Sequence, residues 1–375
     1  MKSKHRFHAL LFALLAALLF TSVVGAAQKD GPDVSLSVSH GNFDKSQEVL
    51  VTVTFSNPTS KTVDVLKWYT PFEGVEEPLF AVMLNGQPAP YTGPVYKRPE
   101  VTSKDYISLK AGESMTTTVN LGEFYDLSQS GSYEVFYAVA AYNLSDPKGK
   151  NYNYREVLLS EKVSINVEGR AKPTPRTPTP PPPGGGKPPR TTPTPGSPTP
   201  TSSSPGGISF NSCSASRQSL LITAHDNAKS YSTQSENYLF GISSGTSRYT
   251  TWFGAFTTTR FNTVKAHFTA IRDAFYNRSV TYDCTCTQSY YAYVYPNQPY
   301  KIYLCNAFWS APMTGTDSKA GTLIHEMSHF NVVAGTDDFA YGQTAAMNLA
   351  INNPDNAIRN ADNHEYFAEN TPPRP

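Results

Sequence analysis

A tract rich in Pro, Thr, Ser and Gly, from 170 to 207, cuts this chain in two. It contains Pro180-Pro-Pro-Pro183, Gly184-Gly-Gly186 and Thr191-Thr-Pro-Thr-Pro195. So few apolar side chains cannot bury a core, and the composition predicts an extended spacer, partly in polyproline II. Of the 375 residues, the flanks 28–169 and 208–375 remain, each within the roughly 100–200 residues of an ordinary domain. The tract is therefore read as the boundary between two domains.

The first 27 residues read as an export signal. Lys2, Lys4 and Arg6 precede an apolar run from Ala9 to Phe20, and the small residues Gly25, Ala26 and Ala27 follow. The run falls short of the about 20 residues that span a bilayer, so a cleaved leader and no membrane anchor are expected. The mature protein is expected to be secreted, extracellular and monomeric. A net charge of +1 with 16% charged residues leaves no basic excess for nucleic acid.

Residues 28–169 hold no cysteine and alternate apolar with polar positions, as in Val34–Val38, Val49–Phe55 and Tyr133–Val139. Turn signals separate these runs: Asn57-Pro58, Asn85-Gly86, Lys110-Ala-Gly112 and Ser130-Gly131. Short alternating runs with this punctuation predict an antiparallel, immunoglobulin-like β-sandwich.

Beyond residue 208 the pattern changes to a mainly helical α+β domain. Ser216–Tyr231, Phe261–Phe275, Asp317–Val333 and Gln343–Ile351 read as helices, with Thr316 or Asp317 capping the third and Gly335 just past its end. Ser279–Cys286, Ala292–Tyr295 and Ile302–Leu304 read as short strands. All four cysteines lie here, at 213, 284, 286 and 305. A bridge between Cys284 and Cys286 would close a strained loop. Cys213–Cys284 with Cys286–Cys305, or the crossed pairing, both remain open. C-x-C lacks the C-x2-C spacing usual for a zinc knuckle.

The segment His325-Glu-Met-Ser-His329 carries the chemistry. Residues four apart share a helical face, so His325 and His329 can offer two imidazoles to one Zn²⁺. Glu326 projects beside them, suited to take a proton from an attacking water. Leu323, Ile324, Met327 and Phe330 can anchor that helix in a core. A catalytic zinc needs a third protein ligand, and a reversal at Gly335 would return Asp337 or Asp338 toward the histidines. Spacing does not choose between the two aspartates. Further on, Asp362 and Glu365 stand at i and i+3, where they could grip one ammonium group or form a solvated acidic face. His364 between them reads as structural, and His40, His225 and His267 as ordinary surface or packed residues.

Gly335-Thr-Asp-Asp-Phe-Ala-Tyr-Gly342 after H-E-x-x-H resembles the G-T-x-D-x-x-Y-G segment of the deuterolysin-type (aspzincin) metallopeptidases. Thr250–Gly254, Tyr282–Cys286, Ala292–Pro296 and Gly315–Thr322 resemble the peptidyl-Lys metalloendopeptidases within that family. The likeness covers essentially all of 208–375 and implies a zincin-like fold. It implies one Zn²⁺ held by His325, His329 and Asp338, Glu326 as base, and Tyr341 as a phenol for the developing oxyanion. It implies the disulfides Cys213–Cys284 and Cys286–Cys305. It also implies an acidic S1' pocket of Asp362 and Glu365, hence cleavage of protein or peptide substrates on the amino side of lysine. Removing that pair is expected to cost lysine selectivity and leave zinc in place.

Residues 28–169 resemble the pro-regions of this family around Tyr96-Lys-Arg-Pro99 and Leu109–Ser114, implying a zymogen inhibited in cis by its own pro-region. With no cysteine there, blockade would be steric or through another ligand. A retained binding module is the alternative for 28–169. Lys172 and Lys187 in the spacer are self-cleavage candidates, each followed by Pro. Two rivals stand beside the whole reading: a broad-specificity deuterolysin-like peptidase, and a secreted binding protein with an inert C-terminal domain.

Overall fold

A computed structural model describes residues 31–148, 155–172 and 207–375. The export segment 1–27 and nearly all of the spacer 170–207, including Lys187, lie outside the described residues. The chain divides into two units, Met1–Gly93 with Thr102–Pro175, and Pro94–Val101 with Arg176–Pro375.

The first unit is β-rich. One sheet has the order β1 (Asp33–Ser37), β3 (Leu50–Ser56) and β9 (Ser114–Asn120), all antiparallel. Its alternation is that of a half-buried sheet: Val51, Val53 and Phe55 are buried, while Thr52 and Thr54 pair their hydroxyls with Thr118 and Thr116 on the other face. A second sheet is ordered β2 (Asn42–Phe43), β12 (Val163–Val167), β10 (Gly131–Ala141), β5 (Phe80–Leu84), β6 (Gln87–Pro88), with β11 (Glu156–Leu159) also on β10. All its pairs are antiparallel except β12 with β2. β4 (Val63–Leu66) and β8 (Tyr106–Leu109) form a separate ribbon.

The second unit is α+β. Its five-stranded sheet runs β13 (Ile208–Asn211), β14 (Val280–Asp283), β16 (Lys301–Leu304), β15 (Ala292–Val294), β7 (Val95–Lys97). β15 runs opposite to the other four. The helices are α1 (Ala215–Gly241), α2 (Ser247–Phe253), α3 (Thr258–Asn277), α4 (Asn306–Ser310), α5 (Lys319–His329), α6 (Gln343–Asn352), α7 (Pro354–Ala357) and α8 (Ala361–Glu369). Side-chain hydroxyls start four of them: Ser214, Thr246, Thr257 and Ser318 accept from backbone N–H groups of α1, α2, α3 and α5. One apolar core gathers Leu221, Phe268, Ile271, Ile302, Met327 and Phe367 from helices and sheet alike.

Two disulfides brace this unit. Cys213–Cys284 ties the approach to α1 to the end of β14, and Cys286–Cys305 ties the loop after β14 to the end of β16.

The pivotal helix differs from its sequence reading at both ends. Its cap is Ser318, whose hydroxyl accepts from the Gly321 N–H, and not Thr316 or Asp317. Asp317 instead takes a left-handed φ of 49°, which frees its carboxylate to accept from the Tyr366 hydroxyl at 2.7 Å. α5 stops at His329 and not Val333, and Gly335 (φ 58°) reverses the chain, donating its N–H to the Phe330 carbonyl.

Candidate active site

Every residue of α5 is buried, so its two histidines are held by packing on all sides. The His325 and His329 rings stand 4.8 Å apart, as one turn of helix dictates. The reversal at Gly335 then delivers Asp338 between them: Oδ1 lies 3.3 Å from His325 Nε2 and Oδ2 lies 3.3 Å from His329 Nε2. Asp337, the alternative that spacing left open, pairs with Arg359. Asn360 fixes the turn, its Oδ1 accepting the N–H groups of Phe339 and Ala340.

The donor set fits a divalent zinc. His325 Nε2, His329 Nε2 and both Asp338 oxygens are buried and have no well-formed hydrogen-bond partner among the described residues. Each such orphan would cost about 1–3 kcal/mol, and four converging on one point fit a bound cation. These three side chains can each place one ligand atom within 4.8 Å of the others. Burial opposes charge on the imidazoles, yet the Asp338 carboxylate outweighs it and raises both, so the point between them attracts positive charge. Two imidazoles and a carboxylate form an ordinary catalytic zinc set that leaves a position for water.

The outer contacts orient these groups. His329 Nδ1 lies 2.9 Å from the Thr336 carbonyl, which makes Nδ1 the protonated nitrogen and turns Nε2 to the metal point. His325 Nδ1 lies 2.8 Å from Asp362 Oδ1 and 3.4 Å from Glu365 Oε2. This contact depends on the close approach of α8 to α5. A Cβ on Gly321 would fall 2.0 Å from Glu369 Oε1 and 3.0 Å from Glu365 Cγ. Glu369 in turn accepts from the Ser318 N–H and hydroxyl at the start of α5.

Glu326 is fully buried with both carboxylate oxygens lacking a hydrogen-bond partner among the described residues. Burial pushes its carboxyl up to about 7, with the two histidines pulling it back. That is the range in which a general base works near neutral pH.

The acidic pair is not on a solvated face. Asp362 and Glu365 are fully buried on α8, and a lysine lies between them. Lys97 Nζ is 2.7 Å from Glu365 Oε2, 3.6 Å from Asp362 Oδ1 and 3.4 Å from Asp317 Oδ1. Its ammonium also lies 4.9 Å from the Tyr291 ring centre and 5.8 Å from that of Tyr366. Burial opposes charge on Lys97, but the carboxylates outweigh it and hold its pKa well above the ordinary lysine value. Beside it, the Tyr341 hydroxyl donates to the Tyr96 carbonyl at 3.1 Å and accepts from Arg98 Nη1 at 2.6 Å.

His364 is buried and structural in its contacts: Nδ1 meets the Asn360 carbonyl at 2.9 Å and Nε2 meets His267 Nδ1 at 3.0 Å. His225 is buried against the Tyr282 hydroxyl at 2.8 Å. Lys172 is exposed and pairs with Asp126 at 2.8 Å. Thr336, Asn360, Asp317 and the Tyr96-Lys97-Arg98 run escaped the sequence reading as parts of the site. Lys97 and Asp317 are 220 residues apart, and no local pattern marks such a pair.

A buried H-E-x-x-H helix, with an aspartate returned to its histidines beside a mixed sheet, defines a zinc metalloendopeptidase. The family model described as lysine-specific metallo-endopeptidase (aspzincin) matches residues 238–369. The chain is 41% identical over 368 residues to an extracellular protease of Aeromonas hydrophila, covering 96% of this chain and 97% of that one. It is 40% identical to a peptidyl-Lys metalloendopeptidase of Armillaria mellea, covering 77% of this chain and 76% of the relative. A peptidyl-Lys metalloendopeptidase of Pleurotus ostreatus is 52% identical over 44% of this chain and 97% of its own length. Among solved structures, a zinc peptidase from Grifola frondosa is 52% identical, covering 44% of this chain and 100% of its own, with a TM-score of 0.43. The chain belongs to the aspzincin family of metallopeptidases. No helix among the described residues is long and apolar enough to cross a membrane.

Proposed function

We propose that this chain is a secreted endopeptidase, made as a zymogen, that hydrolyses peptide bonds on the amino side of lysine. In this reading 1–27 is the export signal, 28–169 an immunoglobulin-like pro-region acting in cis, 170–207 the linker and 208–375 the catalytic domain. His325, His329 and Asp338 hold one Zn²⁺ in a monomeric enzyme. The observation that carries the substrate class is the ammonium of Lys97 buried between Asp362 and Glu365, beside His325. Two of the relatives are named peptidyl-Lys metalloendopeptidases, in keeping with that pocket.

When bound, zinc supplies a Lewis acid and lowers the pKa of the attacking water. The protein groups divide the remaining work. Glu326, unpartnered among the described residues and with its pKa raised by burial to about 7, takes the proton from the water and passes it to the leaving nitrogen. Tyr341 donates its phenolic proton in a hydrogen bond to the carbonyl oxygen as charge builds there. Asp362 and Glu365 fix the lysine that follows the scissile bond. Arginine fits less well, since its planar fork needs other geometry than a point ammonium.

Digestion of a denatured protein, read by mass spectrometry, tests this directly. New amino termini should begin with lysine, and a chelator should abolish them. Cuts spread over many residue types would replace the lysine reading with the broad-specificity one.

A further inference from the structure

The segment Pro94–Val101 lies in the catalytic unit in the manner of a substrate. β7 adds to the edge of the sheet antiparallel to β15, with Lys97 opposite Ala292, Tyr96 opposite Tyr293 and Val95 opposite Val294. The Tyr291 N–H donates to the Lys97 carbonyl at 3.0 Å. Addition of an extended strand to a free sheet edge is a general way of binding peptides. Lys97 fills the acidic pocket, and the carbonyl just before it, that of Tyr96, receives the Tyr341 phenol. A lysine side chain, the bond on its amino side and the hydrogen-bond donor for that bond's carbonyl therefore stand in one register.

We propose that the Tyr96–Lys97 peptide bond is a self-processing site, cut by the active site of the same molecule. This rests on the lysine reading above and extends it to the enzyme's own chain. In the step, water adds its oxygen to the Tyr96 carbonyl carbon and the bond from that carbon to the Lys97 nitrogen breaks. Glu326 carries the proton from the water to that nitrogen, so Tyr96 ends as a carboxylate and Lys97 as a new amino terminus. The cut lies well before the spacer lysines Lys172 and Lys187. It releases the strand from one side while leaving Lys97 in the pocket as a product that must still dissociate.

The test uses the full-length chain loaded with zinc. Wild-type protein is incubated over a range of concentrations and its new amino termini are labelled and sequenced by mass spectrometry. A terminus at Lys97 should appear at a rate independent of protein concentration. Glu326→Gln should show none, and the same variant offered to active enzyme should stay intact at this bond, because its own cleft shields it. Lys97→Met, which keeps the length of the side chain and removes its charge, should lose the cut. Lys97→Arg serves beside it in case the buried methionine disturbs folding, and should slow the cut without abolishing it. In parallel the same preparations are given short peptides carrying Xaa-Lys or Xaa-Leu bonds. A wild-type chain that cuts Xaa-Lys peptides but never its own Tyr96–Lys97 bond sinks the self-processing proposal alone. A rate that rises with concentration sinks its intramolecular form. Equal cutting of Xaa-Lys and Xaa-Leu peptides sinks the lysine reading on which it rests.

Discussion

The Nδ1 atom of His325 lies 2.8 Å from Oδ1 of Asp362, while Nε2 of the same ring faces Asp338. Asp362 also lies 3.6 Å from Lys97 Nζ, and Glu365 stands 3.4 Å and 2.7 Å from the same two groups, so both carboxylates reach the metal histidine and the ammonium, Asp362 closer to the first and Glu365 to the second. Binding of the ion and choice of substrate are therefore joined through the acidic pair, most directly through Asp362. The separation expected from sequence, in which the acidic pair could be removed at no cost to zinc, does not follow from this geometry.

Asp362 and Glu365 should separate on substitution. Asp362→Asn should lose lysine preference and also weaken zinc binding, by about 10–100-fold as for other residues that orient a metal ligand. Glu365→Gln, 3.4 Å from His325 and 2.7 Å from Lys97, should lose the preference with zinc affinity nearly unchanged. Zinc titration against a competing chelator, alongside a Lys-versus-Leu peptide pair, reads both effects. Equal zinc affinities in the two variants would refute the double role.

Asp338→Ala should abolish stoichiometric zinc, whereas Asp337→Ala should retain it. Asp338 bridges the two histidines and Asp337 pairs outward with Arg359. Metal content by atomic emission after dialysis decides the matter.

Glu326→Gln should keep one zinc per chain and lower kcat by about 10²–10⁴-fold, the usual span for a general base. Correctly folded, zinc-loaded protein with full activity would remove Glu326 from the mechanism.

Tyr341→Phe should reduce kcat by about 10²–10³-fold, as loss of one oxyanion donor does. KM for a Xaa-Lys peptide should change little, because the lysine contacts lie elsewhere. A rise in KM at constant kcat would instead make Tyr341 a binding residue.

Burial of His225 should contribute a loss of stability on mild acidification. Burial lowers the His225 pKa to about 4 from an ordinary 6.5, with Lys229 adding to the effect. Below pH 6.5 the unfolded chain takes up a proton that the folded one refuses, so the loss develops from 6.5 down to about 4 and then levels off. The full effect of this one group is on the order of 3 kcal/mol. Across thermal melts at pH 7, 5.5 and 4.5 the wild type should lose more stability than His225→Gln does, while His364, lowered by burial to about 3, adds a loss of the same sign to both; equal losses would remove His225 from the effect.

Much of the catalytic centre was legible because its chemistry is local. His325, Glu326 and His329 sit in five residues on one helical face, and the periodicity of the surrounding apolar residues marked that helix. The turn at Gly335 was legible too, since a left-handed residue after a helix favours glycine. Spacing could not choose between Asp337 and Asp338; the choice depends on Arg359 and Asn360, which come from the connection between α7 and α8. The cap was misplaced because Thr316, Asp317 and Ser318 are all good capping residues, and only the pull of Tyr366 and Lys97 on Asp317 distinguishes them. Strand β7 was read as part of the front segment, since pairing between Tyr96 and Tyr293 spans nearly two hundred residues and leaves no periodicity to detect.

The pairing of β15 with the edge strand β7 reaches beyond lysine. A chain bound there must lie straight for several residues and give its backbone hydrogen bonds to Ala292–Val294. A lysine inside a helix or a central strand of a native protein cannot do so until that region opens. The speed at which intact proteins are cut should therefore track how often their lysine-bearing segments melt locally, which would make this enzyme sensitive to unfolding as much as to sequence.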